Sequence, residues 1–274
     1  MDRHEAVLRE LNMYPLWVRR EVVAEVVEQV NAVHPDPSTG SGLKAGVEGV
    51  VAENVVRQVD HERVNERLEQ TALVSELPVK SQLNNLNWPE LKSAVHSCQA
   101  CALRAGCTQT VFGVGDEKAD WLFVGEGPGA DEDAQGESFV GQAGKLLDNM
   151  LMAIKLKRGN NVYIANVVKC RPPVDGSGKQ LPPKPEEIAQ CLPYLKRQID
   201  LIQPKVIVAL GKTAANALLS NQATLGSMRG TPHHYNNIPL IVTYHPAYLL
   251  RSPAEKAKTW QDLCLAIKMA RRQD

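Results

Sequence analysis

The residues of this chain whose types and spacing could do chemistry gather in a few short runs. After the apolar stretch Trp121 to Val124 the chain breaks into Gly125-Glu126-Gly127-Pro128-Gly129, followed by the acids Asp131, Glu132 and Asp133. Glycines let a backbone turn sharply and let a ligand approach the main chain closely. Asn166 is a lone amide in the apolar run Val162 to Val168, which leads into Lys169-Cys170-Arg171-Pro172. Gly211-Lys212-Thr213 and His245-Pro246-Ala247-Tyr248 each follow another apolar run. Two nucleotide readings fail on their own physics. Gly125-x-Gly127-x-x-Ala130 formally fits a dinucleotide fingerprint, but three carboxylates beside the expected pyrophosphate position would repel it. Gly211-Lys212-Thr213 resembles the end of a Walker loop, yet the glycine required five residues earlier is Val206; helix capping, with a contact to a phosphate, is the expected use.

Six cysteines form a second chemical set: Cys98, Cys101, Cys107, Cys170, Cys191 and Cys264. Cys98-x-x-Cys101 suits bidentate metal binding, and it also suits a redox pair. Together with Cys170 and Cys191 it makes a four-thiolate set, and spacing does not choose between zinc and an iron–sulfur cluster. Cys107 is near enough to compete but is expected outside the set. Cys264, among Leu263, Leu265 and Ile267, is expected in the core.

The elements that must position these residues read as strands at 121–125, 162–168, 206–210 and 240–243, separated by helices at 143–156, 186–202 and 212–220. A helix from Pro89 runs toward Cys98. A last helix is expected to begin at Ser252-Pro253-Ala254-Glu255, a capping box with proline at the first helical position. Alternation of this kind predicts an α/β fold, three-layer α/β/α, on a central mostly parallel four-stranded sheet. In a parallel sheet all four strand ends share one edge, so the four motifs are expected to converge on one crevice.

The 274 residues divide by composition. Residues 3–31 carry apolar positions at helical spacing and predict an N-terminal amphipathic helix within 1–31. Residues 32–85, with Pro35-Asp-Pro-Ser-Thr-Gly-Ser-Gly42, read as an acidic, largely disordered linker, and 86–274 as the working domain. Residues 1–85 hold 9 Lys and Arg against 14 Asp and Glu; with 31 of each in the whole chain, the remainder holds 22 against 17. A basic module behind an acidic leader is compatible with a polyanionic partner. No apolar run approaches the ~18 residues of a membrane span, so no membrane partner is expected. The opening Met1-Asp-Arg-His-Glu has no apolar signal core. The expected place is therefore the cytoplasm, and the expected state a monomer. The N-terminal helix is expected to dock on the main domain or on another protein.

The order Cys-x-x-Cys, Gly-Glu-Gly-Pro-Gly-Ala-Asp-Glu-Asp, Phe-Val-Gly, Asn-Val-Val-Lys-Cys-Arg-Pro-Pro, a later Cys and His-Pro-Ala-Tyr-Leu-Leu-Arg resembles the family 4 uracil-DNA glycosylases, over roughly 88–270. The resemblance implies a glycosylase that flips uracil out of DNA, hydrolyses its N-glycosidic bond and leaves an abasic site. It implies uracil-containing DNA as partner, a place at the nucleoid, a replication or repair protein as the other protein on which the N-terminal helix would dock, and a 4Fe–4S cluster on Cys98, Cys101, Cys170 and Cys191. It places Gly125, Glu126, Gly127, Glu132, Phe139, Asn166 and His245 against the base, Phe139 as its stacking platform. Facing a flipped uracil, Asn166 would donate to O4 and accept from N3–H, a pattern that cytosine reverses. His245 corresponds to the histidine that donates to uracil O2. Gly127 stands where other branches carry a water-orienting aspartate, which leaves the group that activates water open, with Glu126 and Glu132 as the candidates; the alternative part for Glu132 is bulk against the 5-methyl group of thymine. Tyr248, Leu249, Leu250 and Arg251 look like an intercalating loop, with Arg171 a further DNA contact. The rival readings are a non-catalytic iron–sulfur DNA-binding or polymerase-associated module, and a nucleotide-dependent enzyme.

Overall fold

A computed structural model describes residues 83–272. The helix expected within 1–31 and nearly all of the linker expected at 32–85 lie outside the described residues. Leu83, assigned to that linker, is 4% exposed and packs into the core, so the folded domain begins slightly before residue 86.

In chain order the elements are α1 (Trp88–His96), α2 (Leu103–Gly106), β1 (Val114–Gly115), β2 (Trp121–Gly125), α3 (Ala130–Gln135), α4 (Gln142–Ala153), β3 (Val162–Asn166), α5 (Pro185–Ile202), β4 (Val206–Leu210), α6 (Lys212–Leu219), α7 (Leu225–Met228), β5 (Pro232–Tyr235), β6 (Ile238–Thr243), α8 (Pro246–Arg251) and α9 (Lys256–Ala270). They form one sheet in the order β1-β3-β2-β4-β6-β5. The central four strands are parallel, and β1 and β5 add antiparallel edges. The expected four-stranded sheet is thus the core of a six-stranded mixed one. The edges escaped notice because β1 is only two residues long and β5 is a largely exposed Pro-His-His-Tyr with no apolar alternation.

Strand residues alternate between two packed layers, as a pleat of period two requires. Leu122 and Val124 of β2, Ile207 and Ala209 of β4, and Leu240 and Val242 of β6 face one core with Leu91 of α1, Leu195 of α5 and Ala214 of α6. Trp121 and Phe123, with Val208 and Ile241, face the other, against Leu147 of α4, Leu249 of α8 and Leu263 of α9. Helices therefore cover both faces, giving the three-layer arrangement.

The local signals at helix starts are mixed in outcome. Asn87 caps α1, accepting from the Glu90 N–H at 3.1 Å while Glu90 returns to the Asn87 N–H at 2.8 Å. The capping box expected at Ser252 does not form. Residues Pro253–Glu255 make a single 3₁₀ turn with no side-chain cap, and α9 starts only at Lys256. Glu255 instead accepts from Lys258.

Successive strands run β2 to β3 on one side, then jump back across β2 to β4. The strand order therefore reverses between β2 and β4, and crevices at such a switch point are where open α/β sheets bind ligands.

Candidate active site

A cleft of about 360 Å³ opens at that point, within the range of ~300–1,000 Å³ usual for small-molecule sites. Glu126 and Gly127 reach it from the end of β2, Asn166 from β3, Gly211 to Thr213 from β4 and His245 from the end of β6. The four strand-end motifs converge as a parallel sheet requires. Glu126 and Thr213 meet across the switch point, the Thr213 hydroxyl donating to the Glu126 carboxylate.

Asn166 is 1% exposed, and its side-chain oxygen is buried with no partner in the protein. A buried acceptor left open costs ~1–3 kcal/mol unless a ligand fills it. Gly125 makes this placement possible. A Cβ there would stand 2.4 Å from Asn166 Oδ1 and 2.6 Å from Phe139 Cζ, so only glycine admits both groups over the strand end.

Phe139 is 5% exposed and adopts φ 57°, a left-handed conformation that costs an ordinary residue about 1–2 kcal/mol. Its neighbours hold it there. Arg158 donates to the carbonyls of Ser138 at 2.7 Å and Phe139 at 2.8 Å. Glu132 accepts from the N–H groups of Val140 at 2.9 Å and Gly141 at 3.0 Å through one oxygen, and from Gly129 at 3.0 Å through the other. Glu132 is therefore a brace that ties the glycine turn to the Phe139 turn. These bonds bear on its expected part in activating water, because three main-chain donors already converge on its carboxylate. Asp133 braces likewise, accepting from the Thr108 N–H at 2.8 Å.

His245 caps α8, its Nδ1 accepting from the Ala247 N–H at 3.2 Å. That bond assigns the ring proton to Nε2. Desolvation, with help from the Arg251 cation, pushes its pKa down to about 4, so the ring is a neutral donor at physiological pH. The Phe139 and His245 rings lie 5.5 Å apart at 32°, packed beside each other on the lining of the cleft.

Behind the cleft, Cys98, Cys101, Cys170 and Cys191 line one cavity with Val95, Leu103, Lys169 and Tyr194. Burial first, then mutual repulsion, raises the thiols: Cys191 to about 11, and Cys101 and Cys170 upward as well. The Lys169 N–H points at Cys191 Sγ at 3.2 Å. Cys107, expected outside the set, also touches Cys170 and helps raise it. Among the described residues, no three His, Cys, Asp or Glu side chains are poised to hold a single metal ion. Lys169 links this cavity to the cleft. It is 1% exposed, and its ammonium donates to the Asn166 carbonyl at 2.9 Å and to Gln198 Oε1 at 2.6 Å, burial pushing it down to about 8.

A family model described as the uracil DNA glycosylase superfamily matches residues 112–264, more than half of the chain. The chain belongs to the uracil DNA glycosylase superfamily. Its similar relatives include the type-4 uracil-DNA glycosylase of Archaeoglobus fulgidus, 44% identical over 167 residues, which is 58% of this chain and 81% of that protein. That of Sulfurisphaera tokodaii is 42% identical over 172 residues, covering 60% and 76% respectively. That of Pyrobaculum aerophilum is 38% identical over 184 residues, covering 64% and 91%.

In this glycosylase fold the DNA-contact expectations divide. Tyr248 and Arg251 line the cleft, and Leu250 is exposed. Leu249 is not available as a wedge. The expected loop is the short helix α8, which turns Leu249 inward to 1% exposure against the α4 layer. Arg171 does not line the cleft; it is half-buried, with Nε lacking a partner. Sequence reasoning missed Arg158 and Gln198, which act on the site through contacts 20 and 29 residues away in sequence, and it did not foresee that Thr213 of the Gly211-Lys212-Thr213 motif bonds Glu126. Lys169 did carry a signal, as a charge directly following an apolar run. Among the described residues, no helix is long and apolar enough to cross a membrane.

Proposed function

We propose that this chain excises uracil from DNA, hydrolysing the N-glycosidic bond and releasing the free base. The observation that carries the reading is the pairing of an open, buried Asn166 oxygen with a His245 ring whose tautomer is fixed, in one cleft lined also by Phe139. Flipping the base costs a few kcal/mol of unstacking, and stacking on Phe139 offsets part of that. Asn166 accepts from uracil N3–H and donates to O4, and cytosine mismatches both contacts. As the bond breaks, negative charge grows on the base, and the Nε2–H of His245 donates to O2. A neutral donor held in place before the reaction needs no reorganisation when the charge appears. Positive charge grows on the sugar, facing Glu126. With Glu132 committed to main-chain donors, Glu126 is the acid that orients the attacking water. Lys179, Lys212 and Arg251 supply cations at the rim for phosphates.

A 4Fe–4S cluster on Cys98, Cys101, Cys170 and Cys191 belongs to the same reading. What supports it is the donor set: thiols from three chain segments around one cavity, with burial raising Cys101, Cys170 and Cys191, a condition that thiolate binding of a cationic centre relieves. The cluster would supply no step of the reaction; it would brace α1, α5 and the segment after β3, which carries Asn166. The experiment is single-turnover excision of uracil and of cytosine by the chain and by Asn166→Asp. The variant should lose uracil activity and relax the choice between the bases. Uracil excision that survives Asn166→Asp with unchanged selectivity would overturn the assignment.

A further inference from the structure

A buried charge and two rings form a ladder from the core to the rim of the cleft. Arg229 follows α7 and Asp262 lies in α9, their side chains only 10% and 1% exposed. Two guanidinium nitrogens of Arg229 converge on Asp262 Oδ2, Nε at 2.8 Å and Nη2 at 2.7 Å. The guanidinium carbon sits 4.3 Å from the centre of the Tyr244 ring. Tyr244 in turn stacks on Tyr248, the centres 5.0 Å apart and the planes inclined by 26°. Tyr248 is 37% exposed and lines the cleft beside His245. An ion pair so deeply buried returns little net stability, because both charges have lost their water. What it fixes is direction: the guanidinium plane is set by Asp262, the Tyr244 ring by the guanidinium together with the hydrogen bond between Tyr244 and Glu255, and the Tyr248 ring by Tyr244.

Resting on the uracil-excision reading, we propose that Tyr248 is a stacking platform for a nucleobase flanking the extruded uridine, and that the Arg229–Asp262 pair positions it through Tyr244. One face of the Tyr248 ring is backed by Tyr244, and the exposed remainder borders the cleft. Every base has a π-face, so such a platform is tolerant of sequence. It suits a neighbour whose stack has been opened by removal of the uridine. Arg251, one turn below on the same short helix, is exposed and can hold the adjoining phosphate.

The test uses oligonucleotides carrying a non-cleavable 2′-fluoro-2′-deoxyuridine flanked on one side or the other by 2-aminopurine, whose fluorescence falls on stacking. With the full chain, one flanking position should be quenched on binding. Tyr248→Phe should keep the quenching. Tyr248→Leu should abolish it and weaken binding about 5- to 140-fold, the span for loss of one base–aromatic stack. Arg229→Met, and Tyr244→Leu as the variant that leaves the ion pair intact, should reduce quenching with Tyr248 still present. Quenching and affinity within twofold of the parent in Tyr248→Leu would overturn the platform. Full quenching in both Arg229→Met and Tyr244→Leu would overturn the positioning role. Uracil release from cleavable DNA by the parent chain is measured in parallel, so that failure of the underlying reading, no release at all, is distinct from failure of the platform.

Discussion

Removing the His245 ring should slow excision far more than it weakens DNA binding. The ring contributes one donor, Nε2–H, whose direction is set by the Ala247 N–H bond to Nδ1. Loss of one preorganised donor of this kind costs ~10²–10³ in rate, about 2.7–4 kcal/mol, so His245→Ala should fall within that range in single-turnover excision. The parent's pH profile carries the sharper test. With the folded pKa pushed down to about 4, the ring stays neutral through the range where a free histidine titrates. The rate should therefore be flat in His245 from about pH 8 to pH 5 and fall as pH approaches 4, when protonation of Nδ1 breaks the cap. The stability sign follows from the same shift. Between pH 6.5 and about 4 the unfolded chain binds this proton and the folded one does not. Stability thus rises with pH across that window, and the penalty is complete below it. The assays are single-turnover rates from pH 4.5 to 8.5 and an NMR titration of the imidazole. An inflection near pH 6.5 that disappears in His245→Ala would refute the neutral-donor account.

Glu132→Gln leaves one acceptor oxygen where three N–H groups now converge on two, so unfolding should become easier by about 2 kcal/mol with excision reduced in step. A drop of ~10³ in rate at unchanged stability, read by denaturant unfolding beside single-turnover kinetics, would instead make Glu132 the water-activating base. Cys170→Ser should lose bound iron together with stability, whereas Cys264→Ser should keep its iron, both followed by iron assay and visible absorbance; zinc without iron in anaerobically purified parent protein would sink the cluster. A chain beginning at Leu83 should keep the single-turnover rate on short oligonucleotides, since the cleft is built from residues beyond 125, and a loss above about tenfold, ~1.4 kcal/mol, would give the leader a part in the site.

How much of this was legible in the sequence depended on whether the cause was local. Glycine turns after apolar runs mark strand ends, and a parallel sheet brings such ends to one edge, so Gly125, Asn166, Gly211 and His245 were placed together without coordinates. The pairing partners of those residues were not. Arg158 holds the Phe139 turn from 20 residues away, and no period or motif announces it. Glu132 looked like an acid beside a base because its three main-chain partners become visible only when the chain closes on itself. Six residues opening on proline are too short to show a helical period, so α8 read as a loop, and only its winding decides that Leu249 turns inward while Leu250 faces out. The antiparallel edges failed for the reason edge strands often do: half-solvated, short strands carry little hydrophobic pattern.

The central claim is that the cleft breaks the glycosidic bond of uracil and does not merely hold it. The direct measurement is mass-spectrometric detection of products from a single-uracil oligonucleotide, as U·G, U·A and single strand, under single-turnover conditions. The account predicts free uracil and a strand with one abasic site in equal amounts, with no base released from the matching cytosine oligonucleotide. Tight binding of the uracil strand with the base still attached after prolonged incubation of iron-loaded protein would contradict it.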